Sequence, residues 1–464
     1  MGSKVAIIGT GYVGLTTGAC LSHLGHTVVC ADVVPEKVES LSRGEVPILE
    51  AGLDELVEEG IREGRLSFVL GAENAVGDAE FVFLCLPTPQ GADGAADLSF
   101  IKVAAEQISP HLQPDSVVIN KSTVPVGSVG EVRKKLQRDD VHVISNPEFL
   151  REGTAVDDFL NPDRVVIGSD DRSAAERVAG LYEKLSGEVL ITDPASAETI
   201  KYASNAFLAT KISFVNAMAA VCEEVGADVS DVVKGMGLDQ RIGNRFLVPG
   251  PGWGGSCFPK DSHALVRIAE NSGYQFGLLR QVIAVNEEQF GRVANKITRF
   301  AGGSLEGKTV AVWGLTFKAA TDDLRDSPSL NIIHRLLEVG ATVRAYDPAV
   351  EDGSDARLAG IEICNDPYEA ASGADVLAVL TEWPEFKEVS FEKVFGRHGS
   401  DIVGHLRIFT SKAIRQFLDH HGFDCVDVRG ARFDALPHWL RAVDAAFARV
   451  PSLAGNTVIA ARRR

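Results

Sequence analysis

Short apolar runs broken by glycine- and proline-bearing turns pattern the first 150 residues. Lys4-Val5-Ala6-Ile7-Ile8 reads as a buried strand, and Gly9-Thr10-Gly11-Tyr12-Val13-Gly14 follows it at once. Leu15 to Leu24 carries the small and apolar residues of a buried helix, which Gly25 ends. Thr27 to Ala31 is a second strand and closes on Asp32. Phe81 to Leu86, Ser116 to Asn120 and Val141 to Ile144 are further strands. They run into Pro87-Thr88-Pro89, Lys121-Ser122-Thr123 and Ser145-Asn146-Pro147-Glu148. Continuously apolar strands alternating with helices predict a doubly wound parallel sheet, with ligand at the strand ends.

From Ala195 to Val225 the period becomes helical, through Ile200, Ala203, Phe207, Leu208, Ile212, Val215, Ala219 and Cys222. Lys201 and Asn205, four apart, share one face and by themselves read as a solvated stripe. A second α/β unit begins near Leu305. Thr309 to Trp313 is a strand, Gly314-Leu315-Thr316-Phe317-Lys318 a turn, Ser329 to Val339 a helix, and Thr342 to Tyr346 a strand ending in Asp347-Pro348. Val376 to Leu380 and Asp401 to Val403 supply more strands. The expected fold is α/β, two doubly wound Rossmann-like domains joined by a central helical dimerisation segment. The expected boundaries are 1–194, 195–300 and 301–435, followed by a tail, 436–464, whose basic end is expected to be disordered.

A length of 464 residues exceeds what one core serves, in line with several domains. The net charge of −18 repels polyphosphate at long range, so nucleic acid is not an expected partner. No apolar run approaches the roughly 20 residues of a membrane span. Met1 to Ala6 enters a strand pattern without a signal peptide's apolar region, so a cytoplasmic protein is expected. The seven cysteines, Cys20, Cys30, Cys85, Cys222, Cys257, Cys364 and Cys425, are scattered and lack a Cys-x-x-Cys pair. They read as reduced thiols, with neither a disulfide framework nor a metal site.

The order strand, glycine turn, helix, strand, acid is a dinucleotide fingerprint. Gly9 permits the sharp turn, Gly11 lets a pyrophosphate reach the backbone, and Gly14 allows close helix–strand packing. Tyr12, Val13 and Gly14 open the helix and aim N–H donors at that pyrophosphate. Asp32 accepts from ribose hydroxyls and repels a 2′-phosphate, which favours NAD over NADP. Thr88, Thr123 and Glu148 are candidates for the floor of the cleft. Gly250-Pro251-Gly252-Trp253-Gly254-Gly255-Ser256-Cys257-Phe258-Pro259-Lys260-Asp261 holds the densest chemical signal. Pro259 suits the first turn of a helix. Cys257 just before that helix, with Lys260 nearby, has the setting of a thiolate nucleophile, and Asp261 can relay a proton.

These blocks, in this order, resemble the nucleotide-sugar dehydrogenases of the UDP-glucose/GDP-mannose dehydrogenase family. Pro47-Ile48-Leu49-Glu50-Ala51-Gly52-Leu53, Lys121-Ser122-Thr123-Val124-Pro125-Val126-Gly127 and Asn146-Pro147-Glu148-Phe149-Leu150-Arg151-Glu152-Gly153 carry the likeness. So do Glu198-Thr199-Ile200-Lys201-Tyr202-Ala203-Ser204-Asn205-Ala206, the cysteine loop, and Gly314 to Lys318 with Asp326-Ser327-Pro328-Ser329. The resemblance implies oxidation of a sugar C6 alcohol to a carboxylate by two NAD⁺ in turn, through a thiohemiacetal and a thioester on Cys257. It implies that Lys201 stabilises the oxyanion, that Asp261 and a water on Thr123 handle the alcohol proton, that Glu148 is the base for hydrolysis, and that Asn205 holds the sugar or the oxyanion.

By the same resemblance NAD lies against Asp32, Lys37, Thr88, Thr123, Glu152, Lys260 and Arg325. The nucleotide sugar lies against Phe149, Leu150, Phe246, Leu247, Gly250, Gly254 and Lys318, besides Glu148, Lys201 and Asn205. Arg241 reaches the sugar nucleotide of a neighbouring subunit, which implies a homodimer. The expected substrate is UDP-glucose. Alternatives are dTDP-glucose, GDP-mannose or an N-acetylhexosamine nucleotide; a two-electron β-hydroxyacid-type dehydrogenase; and a sensor without turnover. Where the family carries aspartate-glycine-arginine-asparagine, this chain has Asp401-Ile402-Val403-Gly404-His405-Leu406-Arg407, so Arg407 is displaced from the family's arginine by one position.

Overall fold

The computed structural model describes residues 2–91, 96–351, 353–389, 405–406, 423–431 and 456–463. The chain forms two compact units. One comprises Met1–Thr210, Trp253–Ala284 and Thr316–Ser327, the other Lys211–Gly252, Val285–Leu315 and Pro328–Arg464.

In the first unit β1 (Lys4–Ile8), β2 (Thr27–Asp32), β3 (Leu66–Leu70), β4 (Phe81–Leu84), β5 (Val117–Asn120), β6 (His142–Ser145), β7 (Arg164–Gly168) and β8 (Glu188–Thr192) make one sheet. Its order is β3-β2-β1-β4-β5-β6-β7-β8. The strands from β3 across to β6 are parallel. β7 meets β6 antiparallel through Ser145 and Gly168, and β8 runs parallel to β7. β3, β7 and β8 go beyond the sequence expectation. β3 and β8 are the two edges, and Glu188, Val189 and Leu190 are exposed, so neither shows the continuous burial of the inner strands.

Side chains alternate between the two faces of the sheet. Ile7, Phe83, Ile119 and Ile144 join one core cluster, and Ala6, Val82, Leu84, Val118 and Val143 join another. Strand order reverses at β1, which lies between β2 and β4. The ends of β1 and β4 therefore form the switch point where open α/β sheets bind ligands.

The second unit holds β9 (Thr309–Trp313), β10 (Thr342–Tyr346), β11 (Ile361–Ile363), β12 (Val376–Val379) and β13 (His405–Leu406), ordered β11-β10-β9-β12-β13. All four neighbouring pairs are parallel. It repeats the hydrogen-bond plan of the first unit. Gly9 N donates to the Ala31 carbonyl at 2.8 Å, as Gly314 N does to that of Tyr346 at 2.8 Å. Thr10 N donates to Asp32 Oδ2 at 3.1 Å and Leu315 N to Asp347 Oδ2 at 2.7 Å.

The expected strand Asp401 to Val403, and Arg407, lie outside the described residues. The chain end differs from expectation. β15 (Asn456–Arg463) pairs antiparallel with β14 (Phe423–Ala431), which satisfies backbone groups a disordered end would leave to water.

A helix of 32 residues, Pro194–Val225, spans the end of the first unit's leading segment and the start of the second unit. By length and composition it is apolar enough to cross a membrane, contrary to the sequence expectation, with 39% of its most apolar window buried. Its polar residues meet protein groups. Glu198 accepts from Gly127 N, Lys201 pairs with Glu148, Asn205 donates to Asp261, and Asn216 accepts from Gly250 N. Those bonds tie one face of the helix to the protein.

Gly14 sits in the helix Tyr12–His23, where a Cβ would collide with the Gly9 carbonyl and stand 3.0 Å from Cys85 Cβ. Alanine would gain about 1 kcal/mol of helix propensity there. Overpacking costs about 1–3 kcal/mol and wins, because the obstacle is backbone. Gly14→Ala is expected to lower the urea unfolding midpoint; an unchanged or raised midpoint would contradict this packing.

Candidate active site

The glycine turn is built to receive a phosphate group. Gly9 has φ +95°, which a side chain would strain, and its Cβ would meet the Cys85 carbonyl. Gly11 caps the helix Tyr12–His23 without a side-chain hydrogen bond, and a Cβ there would meet nothing within 4 Å. Open space over a backbone with free helix-end donors fits a dinucleotide pyrophosphate. Asp32 closes β2 beside it. Its Oδ2 accepts from Thr10 Oγ1 at 2.5 Å and lies 3.3 Å from Lys37 Nζ, while Oδ1 accepts from Val33 N at 2.8 Å. Burial pushes the Asp32 carboxyl up, and the Thr10 bonds and Lys37 outweigh it, so the net shift is downward. Asp32 thus holds the turn as well as facing a ribose, and Lys37 is engaged with Asp32.

Thr88 and Thr123 lie buried past β4 and β5, tied by a Thr88 Oγ1 bond to the Thr123 carbonyl at 2.9 Å. Past β6, Glu148 Oε2 accepts from Leu150 N at 2.6 Å and Oε1 from Lys201 Nζ at 3.0 Å. Both partners of that ion pair are buried, at 4% and 5% side-chain exposure. The Phe149 ring centroid lies 5.3 Å from Lys201 Nζ. Asn205, one turn along, donates to Asp261 Oδ2 at 2.6 Å. The reading of Lys201 and Asn205 as a solvated stripe is therefore corrected: this face of the helix is buried in the first unit, where a carboxylate meets each residue.

Cys257 is the N-cap of the helix Phe258–Asn271, with Pro259 in its first turn. Gly254 is buried, and Gly255 N donates to the Arg325 carbonyl at 3.1 Å. With φ +80°, Gly255 packs where a Cβ would stand 2.7 Å from the Phe317 ring. The ring of Trp253 meets that of Phe258 edge-on at 6.5 Å. Cys257 is partly exposed, and Ser256 Oγ lies 3.5 Å from its sulfur. Lys260 Nζ pairs with Asp261 Oδ1 at 2.7 Å.

Two expectations for this thiol are corrected. Burial pushes it up to about 11, away from the thiolate that its place before the helix suggested. The cation that opposes the rise is Lys201, whereas Lys260 is occupied by Asp261. Burial alone would lower the Lys201 ammonium, but Glu148, Cys257 and Asp261 raise it above its ordinary value. Lys201 therefore stays charged among acceptors.

Glu152 accepts from Ser256 Oγ at 3.0 Å and from Arg325 at 3.4 Å. Burial, then Asp323, lift it to about 7. Lys318 lies in the same unit, its ammonium 5.5 Å from the Phe317 ring centroid. Arg241, Phe246, Leu247 and Gly250 belong to the second unit. Arg241 is exposed and bonded to Asp239 at 2.6 Å, Phe246 has φ +61°, Leu247 is buried, and Gly250 is held by Asn216 and Gln289.

Sequence reasoning gave no role to Glu50, which accepts from Gly153 N at 2.7 Å and from the Tyr12 hydroxyl, nor to Glu198, which accepts from Gly127 N at 2.6 Å. Both stand inside the quoted motifs, and an acid next to apolar residues was the available signal. Among the described residues no group of His, Cys, Asp and Glu could hold a metal ion.

Comparison with known proteins agrees with this geometry. The NAD binding domain of the UDP-glucose/GDP-mannose dehydrogenase family matches residues 3–186, its central domain 195–288 and its UDP binding domain 311–410. The chain belongs to this family. It is 45% identical over 414 residues to a UDP-glucose 6-dehydrogenase of Rhizobium meliloti (strain 1021), covering 87% of this chain and 95% of the relative. It is 46% identical over 397 residues to UDP-glucose 6-dehydrogenase TuaD of Bacillus subtilis (strain 168), covering 84% and 86%. The structure of a UDP-glucose dehydrogenase from Pyrobaculum islandicum superimposes with TM-score 0.81 at 37% identity, covering 84% of this chain and 92% of that one. This dehydrogenase family accounts for an α/β fold with a nicotinamide cofactor and a nucleotide-sugar substrate.

A thiol at about 11 reacts through a small thiolate fraction. Alkylation of Cys257 by iodoacetamide, followed by mass spectrometry, should accelerate about tenfold per pH unit from pH 7 to pH 10. A rate already level at pH 8 would contradict a thiol raised to about 11.

Proposed function

We propose that this chain oxidises the C6 alcohol of UDP-glucose to the carboxylate of UDP-glucuronate, a four-electron reaction using NAD twice. The reading is carried by one arrangement: Glu148, Lys201, Asn205 and Asp261 form two buried ion and hydrogen-bond pairs in the unit that holds Cys257. The 44–46% identity to bacterial UDP-glucose 6-dehydrogenases supports the substrate.

NAD, when bound, supplies the hydride acceptor for both oxidations. Gly9, Gly11, Tyr12, Val13, Gly14, Asp32, Lys37, Thr88, Thr123, Glu152, Lys260 and Arg325 would hold it. The rest is chemistry of the chain. Asp261, with a water on Thr123, takes the alcohol proton as the alcohol becomes an aldehyde. Cys257 then forms a C–S bond to C6, and the thiol proton ends on the former carbonyl oxygen. Lys201 steadies that oxygen while it is negative, and Asn205 keeps Asp261 in place. Loss of the remaining C6 hydride and of the hydroxyl proton leaves a thioester. For hydrolysis Glu148 takes a proton from water as its oxygen bonds to C6. The C–S bond breaks, and the sulfur is reprotonated. Adding the sulfur first gives the second oxidation a tetrahedral carbon with a transferable hydride.

We also assign the chain to a homodimer in which Arg241 serves the neighbouring site. Phe207, Phe214, Val221 and Val225 are exposed along the long helix, the first three at seven-residue spacing. An apolar stripe of that kind favours burial against a second copy. Six unpaired cysteines among the described residues support cytoplasmic residence.

NADH counted per sugar consumed tests the reaction. Two per UDP-glucose are expected, and Cys257→Ser should cut steady-state turnover by about a hundredfold or more. One NADH per sugar, or an indifferent variant, would overturn it. A panel of nucleotide sugars ranked by kcat/KM checks the substrate, with UDP-glucose expected first. Arg241→Ala mixed with Cys257→Ser should regain activity that neither has alone, because a mixed dimer restores one complete site. No recovery on mixing would exclude Arg241 acting across subunits.

A further inference from the structure

Lys121 carries a buried ammonium that the reaction above does not use. It directly follows β5 and is 5% exposed, yet among the described residues no carboxylate lies within ion-pair distance of it. Its Nζ donates to Asn146 Oδ1 at 3.1 Å. The same oxygen accepts from the Tyr182 hydroxyl at 2.6 Å, and Asn146 Nδ2 donates to the Val166 carbonyl at 2.7 Å. The backbone N of Asn146 donates to the Asn120 carbonyl at 2.9 Å. Ring centroids of Tyr182 and Phe159 lie 5.7 Å and 6.0 Å from the ammonium.

Burying an unpaired cation costs several kcal/mol, and one amide oxygen with two ring faces offsets only part of that. An apolar side chain would fill the same place at less cost. What the lysine adds is a fixed donor at the root of the segment Asn146-Pro147-Glu148. Asn146 is pinned through every polar atom of its side chain, and Glu148 two residues later is fixed by Lys201 and by Leu150 N. A register error at Asn146 would pass through the stiff Pro147 to the carboxylate.

We propose that Lys121, acting through Asn146, is a positioning residue that aims Glu148 at the water attacking the thioester. The inference rests on the role of Glu148 proposed above and extends it to the layer beneath. The titratable groups that face Lys121 are Cys85, Glu148 and Lys201, with the Tyr182 hydroxyl on the shared asparagine. Burial holds the ammonium down to about 8.

The experiment separates hydride removal from hydrolysis. With Lys121→Met, rapid mixing with UDP-glucose and NAD should give a burst of two NADH per site at a rate close to wild type. Steady-state turnover should then be slower by about tenfold or more. Intact-mass spectra should show the sugar thioester accumulating on Cys257. Tyr182→Phe keeps the ring beneath the ammonium and removes one bond to Asn146, so it should shift both readouts the same way by about two- to threefold. It decides the matter if Lys121→Met does not fold. Burst and steady state falling together, or neither falling, would overturn the inference. Glu148→Gln is the reference. If it accumulates no thioester, the hydrolytic role of Glu148 fails, and this inference with it. If it accumulates thioester while the Lys121 and Tyr182 variants do not, only this inference fails.

Discussion

Lys201 and Glu148 face each other across 3.0 Å with almost no solvent on either. Removing one partner of such a pair strands a buried charge at about 3–5 kcal/mol, so the pair fixes the long helix Pro194–Val225 against the end of β6. Much else in the site depends on that junction. One turn further, Asn205 reaches Asp261 at the start of the cysteine helix, and one turn earlier Glu198 takes the backbone donors Gly127 and Val129 at the helix Ser128–Leu136. A single helix face thus ties two strand-end segments and the start of the cysteine helix together through charged or amide groups, and the apolar remainder of the helix is left for packing.

The same burial sets the electrostatics. Desolvation moves several groups toward their neutral forms: the Cys257 thiol to about 11, Glu152 and Glu198 to about 7, and the Lys121 ammonium down to about 8. Lys201 is the exception, held above its ordinary value against burial, chiefly by the Glu148 carboxylate. The site therefore keeps the Lys201 ammonium beside a sulfur that burial holds above the ordinary thiol range.

The two α/β sheets use one local device. In each, the acid that ends the second strand accepts from the backbone of the turn after the first, Thr10 onto Asp32 and Leu315 onto Asp347. In the first unit the turn carries Gly9, Gly11 and Gly14, and the space over Gly11 is open. In the second the turn is Gly314-Leu315-Thr316, without the triple glycine. The shared hydrogen bond belongs to the fold, whereas the glycines belong to the dinucleotide.

Most of the inner strands, the glycine turn with Asp32, and the cysteine loop were legible in the sequence, because continuous apolar runs and glycine spacing are local signals. The edge strands β3 and β8 were not legible, since one-sided exposure dilutes the pattern. Strand ends and the cysteine loop pointed to Glu148 and Asp261, whereas Lys201 and Asn205 gained a role only from motif likeness, because periodicity alone made them a solvated face. Only the tertiary structure brought a carboxylate to each of them, across 53 and 56 residues of chain. It also decided which lysine answers the thiol, Lys201 and not the sequence neighbour Lys260. Charge proximity and desolvation are properties of packed space, and no spacing along the chain encodes them.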